Sequence, residues 1–62
     1  MEFEIVRHMT RDGRWEREVL PENFKSIAEA AMYLQDYCDA EHVSNDLYQS
    51  GECCKYSIQI AE

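Results

Sequence analysis

The chain has 62 residues and a mass of 7.4 kDa, with 13 Asp and Glu against 6 Lys and Arg, a net charge of -7 and a pI near 4.6. That length makes one small domain, whose fold buries about 60% of the surface its unfolded chain exposes, and 45% hydrophobic residues suit a globular fold rather than an acidic disordered tail. No apolar run approaches the ~18 residues of a membrane-spanning helix, and so acidic a chain is unsuited to direct contact with nucleic acid or anionic lipid, which both need a basic surface.

The acidic start Met1-Glu2-Phe3-Glu4 lacks the basic region of a signal peptide, so a soluble cytoplasmic protein is expected. Glu2 to Thr10, with Phe3, Ile5 and Val6, reads as a strand. Asp12-Gly13 is a two-residue hairpin signal, because Gly tolerates the positive φ of such turns. Trp15 to Leu20 reads as the returning strand, ended by Pro21, which has no N–H to donate to a ladder. Two hairpin registers are open: a two-residue turn pairs Arg7 with Glu18, and a bulged turn puts Ile5 opposite Val19. In either case Arg7 or Arg17 sits near the sheet centre and has to snorkel or pair.

Ser26 and Glu29 have the spacing of a capping box and open a helix that should run to about Ala40. At about 100° per residue, Ile27, Ala30, Ala31, Leu34 and Cys38 share its apolar face. Tyr37 flanks that face and is expected to be half-buried. A polar loop from His42 to Gly51 follows. Cys54 to Ala61 is the last strand, with Cys54, Tyr56, Ile58 and Ile60 inward. The order β-β-α-β predicts an α+β fold, a three-stranded antiparallel sheet with one helix packed on one face, in a single compact acidic domain spanning 1-62.

The charge is unevenly distributed. The first 17 residues balance four acids with four bases, whereas residues 18–62 hold nine acids and two bases. Between Ser26 and Cys54 stand Glu29, Asp36, Asp39, Glu41, Asp46 and Glu52, and no Lys or Arg. A solvated helix ordinarily interleaves signs, since Glu–Lys pairs one turn apart add a few tenths of a kcal/mol. Here Glu29, Asp36 and Asp39 share one exposed stripe with Met32 and Tyr33. Solubility alone accounts for an acidic helix. The complete absence of bases favours an interface with an acidic rim, drawn to a basic partner. Carboxylates on a rigid helix can occupy a nucleic-acid-binding groove in place of phosphates. In this reading Glu29, Asp36 and Asp39 stand in for phosphates, Met32, Tyr33 and Tyr48 anchor, and Asp46 and Glu52 extend the acidic surface.

Other chemistry is poorly supported. Cys38, His42, Cys53 and Cys54 form a zinc set on paper, but adjacent cysteines on a strand point oppositely and C-x₂₋₄-C spacing is absent. Cys38 and Cys54 are better read as core residues, with reduced thiols and no disulfide expected. Cys38 and His42 as a nucleophilic pair lack an oxyanion hole and an orienting third group. The acid pairs Glu16/Glu18 and Asp39/Glu41 have no deep cleft to separate their pKa values. A calcium loop starting at Asp46 fails at Tyr48, Ser50 and Ser57. No catalytic residue, metal or cofactor is therefore assigned.

This profile (small, strongly acidic, without a catalytic motif, carboxylates on one side) resembles the phage-encoded anti-CRISPR proteins, in style those acting on type I surveillance complexes. The resemblance covers the whole chain as a profile and carries no motif. It implies a non-enzymatic inhibitor in the host bacterial cytoplasm that binds the DNA-recruiting surface of a Cascade-type complex and blocks target DNA stoichiometrically. The alternatives are an interaction or regulatory module binding through its sheet edge or open sheet face, and a small metal-binding protein. A monomer is favoured over a dimer, which would form through the open face.

Overall fold

A computed structural model describes residues 1–61. Its elements are β1 (Glu2–Arg11), β2 (Arg14–Phe24), α1 (Ile27–Tyr37), β3 (Glu41–Ser44), β4 (Leu47–Ser50) and β5 (Cys54–Ala61). The class is α+β, but the expected three-stranded sheet is wrong. The strands form one five-stranded sheet in the order β2-β1-β5-β4-β3, every neighbouring pair antiparallel. The difference lies in the segment read as a polar loop, which folds into the β3–β4 hairpin. Asn45 supplies its positive φ of 44°, a conformation Asn tolerates better than most residues.

The first hairpin turns at Asp12 and Gly13, with φ of 53° and 77°, the pair of positive values a tight two-residue turn requires. The register is the unbulged one at that end: Arg7 faces Glu18 and Val6 faces Val19. The irregularity comes later, between Glu4 and Val6, where β2 advances from Val19 to Asn23. β2 does not end at Pro21 as expected. It lies at the edge of the sheet, where a residue without an N–H is tolerated, and the bulge absorbs the proline before pairing resumes at Asn23 and Phe24.

Ser26 caps α1. The Glu29 N–H donates to Ser26 Oγ at 3.1 Å, and Glu29 Oε2 accepts the Lys25 N–H at 3.0 Å, one residue beyond the usual capping-box partner. The helix stops at Tyr37, short of Ala40, because Asp39 takes a positive φ of 52°. The Leu34 carbonyl then accepts from both the Cys38 and the Ala40 N–H groups.

Ala30 and Leu34 are fully buried and pack on Ile5, Tyr48, Tyr56 and Ile58 from the sheet. Two expected core residues lie at the margin: Ile27 and Ile60 are each about half exposed. Arg7 sits on the helix-side face and pairs with Glu18, which settles how a cation is held near the sheet centre.

Candidate functional site

The sequence-derived binding residues separate into three groups. Glu29, Met32 and Asp36 follow one another at helical spacing on the outer surface of α1, all exposed, Met32 at 61%. Asp39 follows at the helix end and is exposed. It lines a shallow hollow with Glu41, Val43, Gln49 and Gly51. Glu52, next to Gly51 in the β4–β5 turn, lies beside that hollow and is exposed.

Asp46 does not join this group. It occupies the β3–β4 turn, at the opposite end of the four-residue strand β4 from Glu52. At about 3.3 Å per strand residue, that separates the two by well over 10 Å. Glu29 likewise stands at the far end of α1, and its carboxylate already accepts the Lys25 N–H.

The aromatic assignments need correction. Tyr48 is not a partner-touching loop residue. It is 6% exposed, in the middle of β4, paired with Tyr56 and packed in the core. His42 stacks on its ring at 4.8 Å between centroids, and His42 Nε2 donates to the Asn45 carbonyl at 2.6 Å, pinning the hairpin. Tyr33 does not stand on the exposed stripe. It packs against the core with its ring 5.2 Å from Phe24 and 5.1 Å from Tyr37, and burial pushes its phenol pKa up. Tyr37, expected to be half-buried, is instead 79% exposed. It is an exposed aromatic that sequence reasoning placed half inside. The signal was its position beside Asp36 rather than on the Ala30–Leu34 line.

The electrostatics divide the molecule. Among the described residues the ion pairs are Arg7 with Glu18, and Arg11 Nε with Glu16 Oε1 at 3.5 Å. Both lie within the β1–β2 hairpin. None of the carboxylates from Glu29 to Glu52 is paired with a cation. Asp36 and Asp39 moreover sit at the C-terminal end of α1, whose last turn carries no base. A helix presents partial negative charge there, so an uncompensated carboxylate costs roughly 0.3–1 kcal/mol.

Among the described residues no three His, Cys, Asp or Glu side chains converge as a metal site would, and the cysteines are free thiols. Cys38 and Cys54 both pack against the core beside Tyr56. Burial first, and these two sulfurs second, hold the Tyr56 phenol well above its ordinary pKa. Among the described residues no helix is long and apolar enough to cross a membrane. The chain matches no family model, no curated protein and no solved structure.

Proposed function

We propose that this protein is a non-enzymatic inhibitor that docks the outer surface of α1 and the adjoining β4–β5 turn onto a basic, nucleic-acid-binding surface of a bacterial defence complex, the mode implied by its resemblance to type I anti-CRISPR proteins. One observation carries the reading. Asp36 and Asp39 are kept where the helix dipole opposes them, with no cation to compensate either one. A surface evolved for solubility alone can place acids anywhere, and the N-terminal turn would be favourable. Acids held at an unfavourable position, beside exposed Met32 and Tyr37, fit a surface whose compensation comes from a partner.

The test uses the full chain and the double variant Asp36→Lys/Glu52→Lys. Both positions are exposed and free of hydrogen-bonded roles, unlike Glu29, which helps cap the helix. Each protein serves as bait in a bacterial lysate and is added to assembled type I surveillance complexes with their target duplex. The wild type should capture a basic partner at low salt and displace its DNA at stoichiometric amounts. The double variant should do neither while keeping its circular dichroism spectrum. Equal capture by both baits, or capture that leaves DNA recruitment intact, overturns the proposal.

A further inference from the structure

The helix covers one face of the sheet. On the other, the strand registers align two rows that cross all five strands. One row is Arg17, His8, Lys55, Gln49 and Glu41; the next is Val19, Val6, Ser57, Leu47 and Ser44. The first runs from cations on the β2–β1–β5 side to a carboxylate on β3. The second is apolar on both sides of its centre: Val6 is 1% exposed and outside the helix-side core, and Val19 is 41% exposed. Among the described residues no helix packs on this face, where Val6 is already buried and Val19 and Trp15 are left exposed.

We infer that the uncovered face binds a second copy of the chain, the two sheets stacking about a twofold axis that runs along β5. The strand order carries the argument. With β5 central, such an axis lays β2 of each copy over β3 of the other and β1 over β4. Arg17 then faces the partner's Glu41, and the exposed Val19 lies over the partner's β3 at Ser44. A twofold interface is self-complementary, and a row with opposite charges at its two ends satisfies that requirement with itself. An axis across the strands would instead set Arg17 against the partner's Arg17. Lys55, at the centre, leans away from the axis: its Nζ lies 5.3 Å from the Trp15 ring centroid. Sheets stacked in this way lie about 10 Å apart with strands nearly aligned. A molecule extending 35 and 22 Å along its two longest axes offers a face of the size standard interfaces bury, about 800 Å² per partner. The surface lies opposite the outer side of α1 but shares Glu41 and Gln49 with the hollow beside Asp39, so Arg17, which lies outside that hollow, is the position that separates this inference from the inhibitor reading.

A charge swap tests it. Sedimentation velocity on the full chain at low salt should show a concentration-dependent monomer–dimer equilibrium. Arg17→Glu and Glu41→Arg, both at exposed positions, should each weaken the dimer about tenfold or more. The double variant should restore it to within a few-fold of wild type. Trp15, the single tryptophan, lies on the same face opposite Thr10, so its emission should shift to shorter wavelength as the dimer forms. A wild type that stays monomeric up to about 0.5 mM overturns the inference. So does a double variant no better than the singles, or quenching of Trp15 by single-stranded oligodeoxythymidine in place of self-association.

Discussion

Replacing Tyr48 by alanine asks whether the β3–β4 hairpin is a structural part of the domain or a surface loop. Tyr48 is 6% exposed and joins the sheet to the α1 core. Truncating a buried aromatic costs about 3–5 kcal/mol, and losing the stacked His42 ring adds roughly 0.5–1 kcal/mol. At ~0.05–0.15 kcal/mol per residue, the whole domain holds on the order of 3–9 kcal/mol. Tyr48→Ala therefore removes at least about two-fifths of the total, and all of it at the lower end of that range. Tyr37→Ala, at a ring 79% exposed, should cost under about 1 kcal/mol. Urea titration followed by far-ultraviolet circular dichroism separates the two. With a slope of about 1 kcal/mol per molar, the midpoints of the variants should differ by several molar. If Tyr48→Ala moved the midpoint no further than Tyr37→Ala, Tyr48 would not be a core residue, and the five-stranded sheet would lose its support.

Asp36→Asn and Asp39→Asn should each raise stability by roughly 0.3–1 kcal/mol in thermal melts at low salt, the gain shrinking as salt screens the dipole. Both should weaken partner capture. Glu29→Gln, at the favourable end of the same helix, should lower stability by a similar amount. Alkaline pH should destabilise the fold through Tyr56. Its folded pKa is raised by burial, so above about pH 10 the unfolded chain releases a proton that the folded one keeps. Stability is unaffected below that point and falls by about 1.4 kcal/mol per pH unit above it. Urea midpoints between pH 8 and 11 should show a shallower decline for Tyr56→Phe; an identical decline would remove Tyr56 as the cause.

What could be read in the sequence was whatever a local signal specified strongly. Asp12-Gly13 dictates a turn, Ser26 and Glu29 a helix start, and Tyr56 and Ile58 one side of a buried strand. The β3–β4 hairpin was not legible because its two strands have four residues each and every residue of β3 is exposed, so no buried alternation marks it. The available clue was Asn45-Asp46 between Val43 and Leu47-Tyr48, where a turn former separates apolar residues. Pro21 misled for a related reason: whether a proline ends a strand depends on whether that strand is an edge, which only the sheet order decides. The base-free run was visible as composition, but its spacing was not. Asp46 and Glu29 belong to it in sequence and stand apart from the Asp39 hollow in space.

The two proposed surfaces constrain each other. α1 packs on one side of the sheet and the Arg17–Glu41 row lies on the other, so stacking two copies through their open faces turns both helices outward. The dimer would then present Met32 and Asp36 twice, on opposite sides. Two such surfaces cannot reach one continuous groove on the same side of a partner. They can engage two complexes, or two copies of a repeated subunit that face each other. Linked binding raises apparent affinity only when geometry lets both sites engage together. Arg17→Glu, which should leave the α1 surface intact, therefore measures this directly. If inhibition is unchanged in the monomeric variant, each acidic surface acts alone. If potency drops while one-to-one affinity is retained, the dimer bridges two sites, and the sheet's charge gradient serves the same function as the helix.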